Sequence, residues 1–350
     1  MRKLARILLA TAFGAFAFAS SAAEKWDMAS GFPDNNFHTK NIQEFIAKIK
    51  QGTKELDFTV HTNQSLFKLQ DSKKAVQTGQ VPIAELLLVQ FGNEDPLYEI
   101  SAIPFLAETH EKAKKLWAAT KGPLTERLAR DGIRLLYGVS WPVQGFYGKT
   151  PLRSLADFKG VKMRTYSPMT GRMAEEMGAI PTNIVFSEIP QAFSTGLVAT
   201  MYTSPQTGVD TQAWDYTKYF VNVGGNFTMN VVIANERAFR RLDAATQKIV
   251  LDAAAEAETR GWQMSVDVTA EHLKLMADKG MQISAPDANF VAELQRVGET
   301  LTRSGSRRAV RSAKSSLPTT VSSSEAAEMK HDRRGAVPGG LRRAGALRHA

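Results

Sequence analysis

No cysteine occurs among the 350 residues of this chain. That absence excludes disulfide staples, thiolate nucleophiles, cysteine-type zinc sites and a thiol-linked lipid anchor, so the fold must rest on its core alone. Catalytic signatures are missing as well. There is no G-x-G-x-x-G, and "GKT" at 148–150 lacks the upstream glycine that a phosphate loop needs. "GVSWP" places Pro142 where a nucleophile elbow requires glycine. Four histidines stand between positions 24 and 302, namely His38, His61, His110 and His272, and none has metal-type spacing. Glu175 and Glu176 read as a solvated helix face rather than a catalytic dyad. Nothing calls for a cofactor or a metal ion, and the chain reads as a binder.

Long apolar runs are also scarce. Arg2, Lys3 and Arg6 precede "ILLATAFGAFAFA" and then the small residues "SSAA". This run is shorter than the roughly 20 residues that span a bilayer, so it predicts a cleaved export signal rather than an anchor. Cleavage after Ala23 would release the mature chain into the periplasm. The formal charge of +9 is unevenly distributed. Residues 303–350 carry +8, the leader +3, and the body from Glu24 to Thr302 only −2. A nucleic-acid partner is therefore not expected. The tail has no aromatic residue and little periodicity, which predicts disorder from Arg303 onward. A basic interaction arm and a shifted reading frame are the alternatives.

The body alternates strand and helix. "KWDMAS", "DFTVHTN", "IAELLLV", "IRLLYGVSW" and "GFYGKT" read as strands of a first lobe, to about residue 150. Between the first two, Ile42, Phe45, Ile46 and Ile49 mark one helical face. "ETHEKAKKLWAATKG" and "PLTERLARDG" read as two helices, the second opening with Pro123. A smaller set runs from Pro151: "VKMRTYS", "MTGRMAEEMG", "PTNIVF", "SEIPQAFSTG" and "VATMYTSP" alternate as βαβ units, and "FVNVGG" and "MNVVIAN" then form a strand pair. Two α/β sets predict two lobes with a crevice between them. Lobe I takes residues 24–150 plus about 231–262, and lobe II 151–230 plus about 263–302. From Ala244 to Lys279 there is no proline and one glycine, Gly261. Apolar residues recur through Val250, Ala253, Ala257, Trp262, Val266, Ala270 and Met276. A single helix there would extend about 54 Å and touch both lobes; a break at Gly261 would instead give two.

Residues 155–196, "LADFKGVKMRTYSPMTGRMAEEMGAIPTNIVFSEIPQAFSTG", resemble the solute-binding subunits of tripartite ATP-independent periplasmic (TRAP) transporters. The likeness lies in the Lys-Gly, the strand bearing Arg, "GA-P" and the "E-x-x-QA-x-x-TG" helix. "AVQTGQV", "IPFL" and the long helix add to it. "RSGSRRAVRS" departs from the family, whose members continue with a helix packed on the body. The resemblance implies a two-lobed α/β periplasmic binding protein with a long helix spanning both lobes. It implies a carboxylate ligand delivered to small and large membrane permease subunits, and an Arg that binds that carboxylate, which here is Arg164. Where many relatives bring an Asn to the ligand, "VATMYTSP" offers Thr203 or Ser204. That departure, with "WPVQGFY", is similar to a subgroup taking 2-oxo, hydroxy or aromatic acids rather than only dicarboxylates.

The residues support Arg164 independently. It stands near the carboxyl end of a strand in an open sheet, on the face opposite Met163, and a planar guanidinium matches a carboxylate in two places. Around it stand Trp141, Gln144 and Tyr147 from "WPVQGFY", which could equally serve lobe packing. Asn36 and Phe37 follow the first strand, with a helix cap as Asn36's other role. Glu85 interrupts an apolar strand and needs a partner, either a ligand oxygen or the backbone. A periplasmic lyase or hydrolase acting on an organic acid is the alternative. So is an ABC-type amino-acid receptor, with Glu85 the sole candidate for an ammonium.

Overall fold

The structure, a computed structural model, describes residues 23–315. The predicted export signal and the tail beyond 315 lie outside the described residues. The first strand, β1 (Glu24–Ala29), begins one residue after the predicted cleavage point and pairs in parallel with β2 (Leu56–His61) and β3 (Ile83–Leu87). β3 is buried along its whole length, as a central strand covered on both faces should be. β4 (Ile133–Ser140) and β10 (Met229–Asn235) complete a five-stranded sheet in the order β2-β1-β3-β10-β4, with β10 antiparallel to both neighbours. The second sheet contains β5 (Gly145–Gly148), β6 (Lys162–Thr165), β7 (Ile180–Asn183), β8 (Thr200–Thr203), β9 (Tyr219–Val221) and β11 (Gln282–Ser284), ordered β11-β9-β5-β8-β6-β7. Each sheet is the centre of one lobe.

The chain crosses between the sheets at 141–144 and again at 222–228. β5 therefore belongs to the second lobe, whereas the sequence reading kept it in the first and set the boundary near 150. β9 and β10 are likewise not a strand pair: they lie in different sheets. The reason is local. Gly145 pairs opposite Thr203, and a side chain at Gly145 would collide with the Val221 carbonyl at 2.5 Å, so this glycine admits β5 into the second sheet.

Helices flank both sheets. In α1 (Phe37–Gly52) the expected face of Ile42, Phe45, Ile46 and Ile49 is buried, and Asn36 caps the helix by accepting from the His38 N–H at 2.8 Å. α2 (Leu69–Thr78) ends at Gly79, whose φ of 76° suits a left-handed stop. The two helices expected around Pro123 are one, α3 (His110–Arg130). Proline forfeits one backbone hydrogen bond, but Ala113, Trp117, Leu124 and Leu128 on either side of it stay buried on a single face. The smaller lobe carries α4 (Pro168–Glu176), α5 (Ile189–Ser194) and α6 (Pro205–Asp210), and α7 (Glu236–Arg241) follows β10.

α8 (Ala244–Asp278) is a continuous 35-residue helix. It packs on α1 and β4 of the first lobe and on α6 and β11 of the second. Gly261 does not break it. A side chain there would lie 2.4 Å from Val139 and 2.7 Å from the Asn41 amide, so the glycine lets the helix press against β4 and α1. Beyond Trp262 the buried stripe rotates. Val266 and Ala270, expected inside, are exposed, and Ser265, His272 and Met276 occupy the inner face. α9 (Ala288–Ser315) buries Phe290, Leu294, Val297 and Leu301 and runs on past Thr302. The expected loss of regular structure at Arg303 is thus overturned as far as Ser315. That stretch holds no proline and several Arg, Ala and Lys residues of good helix propensity.

Gly261→Ala should lower the urea midpoint. Overpacking at such a site costs about 1–3 kcal/mol, which outweighs the roughly 1 kcal/mol that Ala gains over Gly in a helix. Gly171→Ala in α4, where an added methyl meets nothing within 4 Å, is the control and should be neutral or stabilising. Equal gains in both variants would contradict the packing role of Gly261.

Candidate functional site

β6 ends where the second lobe faces the first. Met163 points into the core, so Arg164 points the other way. Directly after it, Ser167 and Thr170 form a reciprocal cap and Pro168 occupies the first helical turn, which starts α4 at once and turns the chain away. Arg164 is thereby left on the wall of a cavity of about 420 Å³ between the two lobes.

Arg164 is 4% exposed. Its Nε donates to the Ile184 carbonyl at 3.1 Å, and its guanidinium carbon lies 4.6 Å from the centre of the Tyr166 ring. Among the described residues no carboxylate pairs with it, and nothing accepts from its two terminal nitrogens. Burial lowers its pKa to about 10, which still leaves it charged at neutral pH. Tyr166 is itself fixed: its hydroxyl donates to Gln144 Oε1 at 3.0 Å, and Gln144 Nε2 donates to the Thr228 hydroxyl at 3.1 Å. The cation thus rests on a ring tethered to both crossovers.

Trp141 supplies another wall, its indole N–H donating to Asn230 Oδ1 at 2.7 Å. Phe32 packs edge-on against Trp141 at 4.8 Å and reaches across to Phe186 of the second lobe at 5.4 Å. Thr203 also lines the cavity and donates to the Thr207 hydroxyl at 3.0 Å. Gln70, Gln90 and Asn93 from the first lobe and Asn183 from the second add neutral amides. Among the described residues that line the cavity, Arg164 carries the sole formal charge.

Arg164, Thr203, Gln144 and Trp141 are therefore brought together, and the other five candidates are not on the cavity wall. Tyr147 faces the opposite side of β5, where its hydroxyl donates to the Ser204 carbonyl at 3.0 Å. The Ser204 side chain caps α6 by accepting from the Thr207 N–H. Asn36 caps α1 and donates to Asp210 Oδ2 at 2.7 Å, and Phe37 packs on His38 and Trp141. Glu85 lies behind Trp141, accepting from Asn230 Nδ2 at 2.7 Å and from the Ser30 hydroxyl at 2.8 Å. Burial raises its pKa. It thereby satisfies the amide that holds the indole.

Sequence reasoning missed Tyr166, although it shares the Arg164 face of the strand by simple alternation. It also missed Phe32, Gln70, Gln90, Asn93, Asn183 and Thr228. Of these, Phe32, Gln90, Asn93 and Thr228 stand outside regular strand and α-helix, where periodicity carries no signal.

Residues 28–306 match the model of the bacterial extracellular solute-binding proteins, family 7. The C4-dicarboxylate-binding periplasmic protein DctP of Rhodobacter capsulatus is 26% identical over 68% of this chain and 72% of its own length. Among solved structures, the Bordetella pertussis extracytoplasmic solute receptor DctP7, described as binding pyroglutamic acid, is 44% identical with a TM-score of 0.81. That match covers 82% of this chain and 96% of the receptor. A marine metagenome TRAP solute-binding protein, described as specific for pyroglutamate, is 32% identical with a TM-score of 0.79, over 81% of this chain and 93% of its own.

The contact between Asn36 and Asp210 joins the lobes away from the cavity. Gln206 donates to the other oxygen of Asp210 at 2.7 Å, yet burial outweighs both hydrogen bonds and the nearby Lys40, and raises the Asp210 pKa to about 6. The folded state therefore holds this proton to higher pH than the unfolded state. Its contribution to stability is full below about pH 4 and lost as pH rises through about 6. Asp210 is only half-buried, so solvent screening leaves about 1–3 kcal/mol. Chemical denaturation across pH 4–7 should show this decline in the parent and not in Asp210→Asn; identical profiles would contradict it.

Proposed function

Because the chain belongs to family 7 of the bacterial extracellular solute-binding proteins, we propose that it is a TRAP-type solute receptor whose ligand is a pyroglutamate-like monocarboxylate gripped by Arg164. The observation that carries this reading is the buried guanidinium, fixed through Nε and without a carboxylate partner, on the wall of an otherwise uncharged cavity. A carboxylate accepting from both terminal nitrogens would restore what desolvation removes. A dicarboxylate would leave its second charge without a cationic partner on this cavity wall, which is costly. Pyroglutamate has one carboxylate, one lactam N–H and one carbonyl, and the neutral amides opposite Arg164 are suited to such a pair. The pyroglutamate ligands named for the two solved relatives described above point the same way.

The receptor reading excludes turnover: members of this family bind solutes, and neither a lyase nor an amino-acid receptor selecting an ammonium is supported. Without a lining carboxylate, an α-ammonium would meet no counter-charge here. The working cycle is capture between open lobes, closure with contacts on both, and recognition of the closed form by membrane permease subunits. The setting is the periplasm.

Arg164→Ala should weaken L-pyroglutamate binding roughly 30- to several-thousand-fold, the loss expected when one member of a desolvated pair is removed. The melting temperature without ligand should stay level or rise, because an unpaired buried charge is gone. Isothermal calorimetry checks both this and selectivity, with succinate expected to bind far more weakly than pyroglutamate in the parent. Near-parent affinity in Arg164→Ala would remove this residue from the site.

A further inference from the structure

Among the described residues, a ring pair and an ion pair cross between the lobes beside the cavity. The ring pair is Phe32–Phe186, and the ion pair is Arg172 Nη2 to Glu99 Oε2 at 2.7 Å. Glu99 belongs to the 3-10 turn Pro96–Ala102 of the first lobe. A side chain at Gly92 would lie 2.0 Å from the Glu99 Cγ, so the acid lies flat against bare backbone. Gly92 in turn sits between Gln90 and Asn93, both on the cavity wall. On the other side, Arg172 stands one turn along α4 from Ser167 and Pro168, which also line the cavity. Glu99 is buried at 5% side-chain exposure, and Arg172 retains 24%. Neither lines the cavity itself, so neither touches what the cavity holds.

We propose that Arg172 and Glu99 are a positioning pair that holds the lobes closed and sets how long a bound solute is retained. The pair joins elements of opposite lobes, so separation of the lobes must break it. Glu99 is held in place by Gly92 and α4 is fixed by its cap, so the two charges are presented to each other on closure with little side-chain ordering left. Loss of the pair acts on release rather than entry, because an approaching ligand meets the lobes apart. The proposal uses the receptor reading for its ligand readout but does not depend on the ligand's identity.

The chain has no cysteine, so thiols introduced at two exposed positions are unique. Lys74→Cys on α2 and Glu188→Cys before α5 would carry nitroxide labels, one on each lobe. With L-pyroglutamate as probe, the label separation should shorten in the parent. In Arg172→Ala the distribution should broaden to longer distances. Stopped-flow dissociation of L-pyroglutamate should be about tenfold faster with the association rate unchanged. Glu99→Gln should match it, and the double variant should add little. The ligand-free melting temperature should not move, which separates this role from a structural one. Unchanged dissociation in both variants, additive effects, or an equal fall in ligand-free melting would overturn the proposal. If L-pyroglutamate does not bind the parent, the ligand assignment alone fails. The labels then decide without it: a short-distance population lost in Arg172→Ala supports the pair, and identical distributions overturn it.

Discussion

A guanidinium taken out of water without a counter-charge is the constraint around which the smaller lobe is arranged. Such a group is expensive to bury. It persists here because every bond that orients it is made: Nε to the Ile184 carbonyl, the plane against Tyr166, and the ring tied through Gln144 to Thr228. In the proposed reading, the bonds that would neutralise it are left to an incoming anion. A site preorganised in this way loses little entropy on binding, and its affinity rests on the desolvated contact rather than on buried area.

In the proposed cycle the same arrangement would link capture to movement. Gln144 and Thr228 belong to the two stretches that connect the sheets, which the proposed closure would flex. Both the ring beneath the cation and the indole opposite it are therefore held from the hinge side, Trp141 through Asn230 and Asn230 through Glu85. α8 lies along both lobes as a continuous strut, and Gly261 lets it seat closely on β4 and α1. A ligand that contacts both lobes favours the closed form by as much as it binds that form better.

Much of this was legible from the sequence. Strand alternation alone put Arg164 on the face away from the core, and the spacing of Ile42, Phe45, Ile46 and Ile49 marked the buried side of α1. The long helix followed from uninterrupted periodicity. What was not legible depended on partners far along the chain. Glu85 takes its role from Asn230, 145 positions away, and Asn36 finds Asp210 at a separation of 174. Tyr147 and Ser204 lie close in sequence to the lining residues Gln144 and Thr203, yet alternation and capping turn them into the core. Pro123 read as the start of a second helix, but packing on either side of it outweighed the one backbone hydrogen bond it forfeits. The amides of the cavity wall come from two separate stretches of the first lobe, at Gln70 and at Gln90 with Asn93, and from Asn183 of the second, which sequence alone does not bring together.

The most direct measurement is the crystal structure of the complex with L-pyroglutamate. The account predicts its carboxylate oxygens within hydrogen-bond distance of both terminal nitrogens of Arg164, with the lactam turned toward the neutral amides. A carboxylate bound elsewhere, with Arg164 instead taken up by a neighbouring acidic side chain, would contradict it.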